Sequence, residues 1–463
     1  MDVLWRQLLM LDPRIAILAG TPLLGLAFLL GQIGRRETAV RGARLAGADP
    51  VRRLCWHFKA RTGVLLTLAG KPILPLDETK HFKLIGTTGT GKSTAIAGLL
   101  RAALQRGDRA VIADPDGGYC AQFFDAWRGD RVLNPFASRS CKWEPLAELQ
   151  DAADPEHLAS ALIATSADAA ASEWRGYART FVAATLERCR AIPGCDTREL
   201  WRLIAVAAPE ELRALLAGTP AQPLLDPDNA RMFGSLRAIA VSAMRPLEFI
   251  QRQHGLPFSV RQWVRQGRGV LFIPYSARQI AALRTLIATW VGLAIFEALS
   301  QQQGCDQRLW FVVDELDALG AIDGLKDALA RLRKFGGRCV LGFQSLAQVS
   351  AIYGAGAQTI VENCGNTLIL RCSGSENGGT SQYASRLIGD RELIRRQRSR
   401  GRDNPGGLFA GGPRRSVQVT EQRVVEPAVL AAQIEQLPDL AGYLKTAASP
   451  VWHAVRIERR GPP

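Results

Sequence analysis

A chain of 463 residues with hydrophobic residues at 47% buries a large core in more than one domain, which excludes a disordered tail. Lys and Arg number 58 against 43 Asp and Glu, a formal net charge of +15, so the field of the molecule favours an anionic partner, nucleic acid or acidic lipid. The 9 cysteines include no C-x-x-C and the 5 histidines stand too far apart for a zinc spacing, which fits a reduced, cytosolic compartment.

Residues 15–33 form an uncharged apolar run, long enough as a helix to cross about 30 Å of hydrocarbon. Arg35, Arg36, Arg41, Arg44, Arg52 and Arg53 crowd its C-terminal side and only Arg6 and Arg14 precede it, so the positive-inside rule puts the following residues in the cytoplasm. Arginines close the run where a cleaved secretory signal would carry an A-x-A pattern. A terminal segment apolar on all faces also differs from a core helix. The expectation is a single-pass membrane anchor in residues 1–34 and a basic juxtamembrane connector in 35–75. The connector's arginines suit acidic lipid or plain solvent equally. Within it, residues 65–74 read as a hairpin-like β element.

The next stretch, His81-Phe82-Lys83-Leu84-Ile85-Gly86-Thr87-Thr88-Gly89-Thr90-Gly91-Lys92-Ser93-Thr94, is an apolar strand running through a glycine turn into a helix, and it fits G-x-x-x-x-G-K-[ST]. Gly86, Gly89 and Gly91 let backbone N–H groups of residues 86–94 converge on a polyphosphate at the positive end of the helix. Lys92 reaches the β- and γ-phosphates in such a turn, and the Ser93 hydroxyl ligates Mg²⁺. Two apolar strands follow, Arg109-Ala110-Val111-Ile112-Ala113-Asp114 and Arg131-Val132-Leu133-Asn134-Pro135, each bounded by turn residues and suited to a buried parallel sheet.

Between about 147 and 256 the strand signals stop. Trp174, Tyr177, Phe181, Val182, Leu186 and Cys189 recur at helical spacing, as do Leu236, Ile239, Ala240, Ala243, Leu247 and Ile250. Arg175, Arg179, Arg188, Arg231, Arg237 and Arg245 fit a nucleic-acid surface or a solvated helix face. Strands resume at Gly269-Val270-Leu271-Phe272-Ile273-Pro274, and a long helix at 278–300 leads to Leu309-Trp310-Phe311-Val312-Val313-Asp314-Glu315. An apolar strand ending in two acids, downstream of a complete P-loop, places Asp314 beside the Mg²⁺ shell and Glu315 where it polarises the attacking water. Cys339-Val340-Leu341-Gly342-Phe343 ends in Gln344-Ser345. Gln344 there suits a γ-phosphate sensor, and Ser345 a simple helix cap. Arg331, Arg333 and Lys334 precede that strand. Residues 395–415, rich in Arg and Gly, read as a basic loop. A short helix at 428–436 and an antiparallel pair at 442–446 and 451–457 close the series.

With these residues placed, the chain resembles the type IV secretion coupling proteins of bacterial conjugation, the TraD/TrwB kind. The resemblance is carried by Asp77-Glu78-Thr79-Lys80-His81-Phe82-Lys83 before the P-loop, Asp114-Pro115-Asp116-Gly117-Gly118-Tyr119 and Leu133-Asn134-Pro135-Phe136. It extends through 310–315, Arg333-Lys334-Phe335-Gly336-Gly337, Gly342-Phe343-Gln344-Ser345 and Leu437-Pro438-Asp439-Leu440-Ala441-Gly442-Tyr443-Leu444. It implies an α/β fold: a RecA-like P-loop NTPase with a mainly parallel sheet in two parts, 76–146 and 257–463, around an all-α insert at 147–256. It also implies a homohexameric ring at the bacterial inner membrane that binds ATP and Mg²⁺ and pumps single-stranded DNA from a relaxase into a type IV secretion channel. The family's phosphate-binding lysine falls on Lys92, its metal-side residues on Ser93 and Asp314, and its catalytic acid on Glu315. Its glutamine falls on Gln344, and the arginine donated by a neighbouring subunit on Arg333, with Arg331 two positions away. Members usually carry two membrane spans, and this sequence offers one. A nucleotide-dependent receptor for protein cargo, or an FtsK/HerA-type segregation or packaging motor, are the competing readings.

Overall fold

The computed structural model describes residues 37–46, 65–164, 168–302, 308–375, 378–403 and 414–458. The apolar run 15–33 lies outside them. The chain divides into two compact units, one formed by residues 1–44 with 385–429 and a larger one formed by 45–384 with 430–463.

In the smaller unit, β1 (Glu37–Gly42) pairs antiparallel with β10 (Asp390–Asp403), which pairs along its whole length with β11 (Arg414–Pro427). This corrects the expectation of a loop at 395–415, since 395–403 and 414–415 lie in paired strands. The alternation there is arginine against small polar residues, with no apolar face to mark a strand. The rungs are ionic instead: Arg396 to Glu421 at 2.8 Å, and Arg391 and Arg395 both to Glu426 at 2.9 Å.

The larger unit is built on a ten-stranded sheet. Its strands are β2 (Arg44–Ala46), β3 (Phe82–Ile85), β4 (Arg109–Pro115), β5 (Arg131–Val132), β6 (Val270–Tyr275), β7 (Leu309–Val313), β8 (Gly337–Phe343), β9 (Asn366–Ile369), β12 (Ala441–Lys445) and β13 (Val451–Arg456). They lie in the order β2-β13-β12-β9-β3-β8-β7-β4-β6-β5. From β9 to β5 all pairings are parallel, and β12 and β13 join antiparallel. Covered on both faces, β3, β7 and β8 are buried at every position, which is why they read as unbroken apolar runs rather than alternating ones. The one lysine in them, Lys83, is satisfied by the Val361 and Cys364 carbonyls, both at 2.8 Å.

Every regular element between Pro145 and Ile250 is helical among the described residues, and a two-residue parallel pair, Lys142–Trp143 with Pro257–Phe258, closes the ends of this segment together. Glu148 knots that root: it accepts from Trp143 Nε1 at 2.7 Å, Ser259 Oγ at 2.8 Å and the Val260 amide at 2.7 Å. Arg261, buried, pairs with Asp154 at 2.6 Å and Glu297 at 2.9 Å. Of the helical positions read from the sequence, Phe181, Val182, Leu186, Cys189, Leu236, Ala240, Leu247 and Ile250 are buried, Tyr177, Ile239 and Ala243 half-buried, and Trp174 exposed. Arg231 and Arg245 are exposed, whereas several of the other arginines bond carbonyls. Arg179 donates to the Ile163 carbonyl at 2.7 Å, Arg188 to Ala217 at 2.6 Å, and Arg237 to Ile204 and Ala207, both at 2.8 Å. They satisfy carbonyls at helix ends, where no intrahelical partner exists. The helix Ile280–Leu299 is long and apolar enough to cross a membrane, but it packs inside the unit, with Trp290 edge-on against Trp143.

His81 sets the entry into β3. Its Nδ1 accepts from the Cys339 amide at 3.1 Å and its Nε2–H donates to the Leu329 carbonyl at 3.0 Å, so the fold holds one neutral tautomer. Burial drives its pKa down to about 4 from its ordinary 6.5, because a second ring proton would also face the Cys339 N–H. The folded value lies below the unfolded one. The stabilisation is therefore complete above about pH 6.5 and is lost as pH falls toward 4, a total of about 3 kcal/mol. Thermal unfolding followed from pH 7.5 to 4.5, in the wild type and in His81→Gln, should show a steeper acid loss in the wild type. Parallel curves would remove this assignment.

Candidate functional site

The P-loop rises from the C-terminal end of β3 and opens the helix α1 (Lys92–Gln105). Gly91 takes φ +110°, and a Cβ there would sit 2.7 Å from Leu440 Cδ2, so only glycine turns the chain into the helix at this point. The two acids leave the C-terminal end of β7, which is not the neighbour of β3: β8 lies between them and ends in Gln344. All three strand ends open on one cleft of about 210 Å³, lined by Thr87, Thr88, Gly89, Gly91, Lys92, Ser93, Thr94, Asp314, Glu315, Gln344 and Leu440. The sheet edge where parallel strands end is where α/β folds gather ligands.

Within the cleft Ser93 Oγ donates to Asp314 Oδ2 at 2.6 Å, and Tyr119 Oη donates to the same oxygen at 2.8 Å. The other carboxylate oxygen, Asp314 Oδ1, is buried without a hydrogen-bond partner. A hydroxyl and a carboxylate in contact, with one buried carboxylate oxygen left over, is the hard-oxygen donor set of a Mg²⁺ site, so these residues fit the ion. Lys92 donates to the carbonyls of Gly86 and, at 3.2 Å, Thr87. Burial holds its ammonium below the ordinary lysine value, against the opposing pull of Asp314 and Glu315. Burial, reinforced by the Asp314 and Asp317 charges, pushes Glu315 up. Gln344 accepts from Thr88 Oγ1 at 3.0 Å, tying the strand end to the P-loop.

Of the residues expected there, the cleft lining omits Gly86 and Thr90, which stand behind it in the loop, and the arginines. Arg331 and Arg333 are exposed on the turn that precedes β8, the opposite end of that strand from Gln344. Seven residues of strand, about 20 Å, separate them from the cleft of their own chain.

Four residues escaped sequence reasoning. Tyr119, in the short helix α2 (Gly118–Phe123), reaches back to Asp314 from a helix start that Asp114 caps through the Tyr119 and Cys120 amides, at 3.0 and 2.7 Å. Burial pushes Asp114 up to about 6. Tyr275 is buried at the end of β6 with its hydroxyl unpartnered, and burial, then the charge of Glu315, raises its pKa. Leu440, at φ +62°, takes the Thr90 carbonyl through its amide at 2.9 Å and gives its own carbonyl to the Ile457 amide at 2.7 Å. Gly342 has the clearest steric signal: a Cβ there would lie 2.2 Å from the Asp314 carbonyl oxygen, so glycine lets the acid-bearing turn settle against β8.

The family described as the type IV secretion-system coupling protein DNA-binding domain matches residues 65–458. The chain belongs to this family. Its coupling-protein relatives include the coupling protein TraD of Escherichia coli (strain K12), 30% identical over an alignment of 431 residues that covers 90% of this chain and 58% of TraD. The chain therefore spans little more than half the length of that relative. Among solved coupling-protein structures, the bacterial conjugative coupling protein TrwBdeltaN70 in its unbound monoclinic form matches with a TM-score of 0.79 at 29% identity, covering 92% of this chain and 94% of that one. The plasmid coupling protein TrwB in complex with ADP and Mg²⁺ matches with a TM-score of 0.78 at 29% identity, covering 92% and 95%.

Proposed function

We propose that this coupling-protein family member is an ATP hydrolase, anchored in the bacterial inner membrane by residues 15–33, that couples a relaxase-bound substrate to a type IV secretion channel and pumps single-stranded DNA. The observation that carries it is the single cleft holding Lys92, Ser93, Asp314 and Glu315, with Ser93 and Asp314 in direct contact. The likeness to a TrwB bound to ADP and Mg²⁺ supports ATP with Mg²⁺ as the ligands. Ser93 and Asp314 hold the ion, which when bound neutralises charge on the phosphates. The loop residues 86–94 orient the phosphates, and Lys92 places its charge on them. Glu315, beside the buried Asp314, takes the proton of the water it orients. Gln344, held on the loop through Thr88, reads the terminal phosphate.

The division into an anchor, a nucleotide-binding domain in two parts and an all-α insert at 147–256 belongs to this reading, as does a homohexamer. In a ring, Arg333 or Arg331 serves the cleft of the next subunit, since each stands far from its own. A net charge of +15 supplies a sequence-independent track for phosphate backbone.

The test is ATP turnover by the detergent-solubilised full chain with and without single-stranded DNA. Turnover should rise with DNA, and the rise should shrink with added salt. Turnover indifferent to DNA, together with nucleotide-dependent capture of a relaxase, would favour the protein-cargo receptor instead.

A further inference from the structure

Tyr119 reaches the acid of the cleft from a separate segment of chain. β4 lies beside β7 with Ala113 opposite Val313, so the turn after β4 rises next to Asp314. Asp116, at φ +57°, and Gly117, at φ +69°, turn the chain back toward β7, and the Asp116 amide fastens the turn to the Tyr275 carbonyl at 2.7 Å. α2 starts there and carries Tyr119 into the hydrophobic core, where only 4% of it is exposed.

A buried phenol needs an acceptor for its proton. Here the acceptor is Asp314 Oδ2 at 2.8 Å, with the Ser93 carbonyl farther away at 3.4 Å. The hydroxyl is not what keeps α2 in place. The Asp114 carboxylate does that through the Tyr119 and Cys120 amides, together with the Asp116 amide and the packing of the ring. What the hydroxyl fixes is the carboxylate of Asp314. Ser93 Oγ donates to the same oxygen at 2.6 Å, so Oδ2 is held between donors from two separate helices, α1 and α2. Held by Ser93 alone, the oxygen could swing on an arc about that hydroxyl. Two donors and the backbone leave it one position. A ligand oriented in this way by an outer hydrogen bond binds a metal ion better than a free one, because the ordering is complete before the ion arrives.

We propose that Tyr119 is a positioning residue of the Mg²⁺ site, its hydroxyl holding Asp314 in the orientation that receives the ion together with Ser93. The proposal rests on the nucleotide-site reading above. The test uses the detergent-solubilised full chain with ADP and Mn²⁺, a hard divalent ion that takes the same oxygen ligands and whose free form is counted by its paramagnetic resonance signal. Tyr119→Phe, which removes one oxygen and keeps the ring, should weaken Mn²⁺ binding by about 10- to 100-fold, the range for losing an outer-shell partner. Its affinity for a fluorescent ADP analogue in EDTA, and its thermal melt, should stay close to those of the wild type. In an Asp314→Asn background the same change should have little further effect, because the hydroxyl acts through that carboxylate. Wild-type Mn²⁺ affinity in Tyr119→Phe would overturn the proposal. So would an equal loss with and without Asp314→Asn, which would mean that the hydroxyl acts by another route. Loss of the cooperative melt in Tyr119→Phe would overturn it as well, by giving the hydroxyl to the fold. Failure of the wild type itself to bind Mn²⁺ with ADP would instead sink the site reading, and this one with it.

Discussion

Replacing Lys92 by alanine should reduce ATP turnover by at least about 10²–10³-fold, the loss that follows removal of one preorganised charge or donor from a site of developing negative charge. The ammonium sits inside the cleft, bonded to the Gly86 and Thr87 carbonyls, and is held below the ordinary lysine value chiefly by burial. A partly desolvated cation interacts more strongly with phosphate than one in water, so its removal weakens ground-state binding and transition-state stabilisation together. The loop itself should survive, because Thr90 Oγ1 still donates to Thr87 O at 2.7 Å and the Thr87 amide to Arg371 O at 2.9 Å. The check is phosphate release with single-stranded DNA present, beside a thermal melt. Wild-type turnover in a folded Lys92→Ala protein would remove the site assignment.

The second large effect belongs to Glu315. Glu315→Gln is expected to retain ATP binding and lose turnover by about 10²–10⁴-fold, the range for removing a positioned general base. Burial and the adjacent Asp314 and Asp317 charges push this carboxyl up, toward the range in which a base accepts a proton at neutral pH. Glutamine preserves shape and hydrogen-bonding capacity while removing the negative charge, so affinity for a fluorescent ATP analogue should change little. A joint loss of affinity and turnover would point to a role in binding rather than in proton transfer. The two variants therefore separate: Lys92→Ala affects both measurements and Glu315→Gln one.

The chemistry at the strand ends was legible in the sequence because each motif is short and local. The P-loop, the acids after β7 and Gln344 after β8 announce themselves by an apolar run stopping at a polar residue, and the cleft brings them together. What escaped depends on distant partners. Nothing near Gly342 in sequence tells that Asp314 crosses it at van der Waals limits. Tyr119 sat in a quoted motif, yet its reach to Asp314, 195 positions away, follows only from β4 lying beside β7. Arg179 and Arg237 of the insert looked like surface residues because a carbonyl at the end of another helix leaves no mark in sequence. Residues 395–415 read as a loop because β10 offers no apolar face of its own there, and its partners are settled only by the register with β11. The central sheet, by contrast, was readable because burial on both faces demands continuous apolar strands.

Leu440 has one further consequence. It closes the wall beside Gly91 and is itself held by residue 457, so the glycine turn, made early in synthesis, lacks that wall until almost the whole described chain has been translated. A polypeptide still emerging from the ribosome carries the turn without its enclosure. Its affinity for nucleotide should appear late and abruptly, so the fuel is engaged by finished molecules rather than by nascent ones.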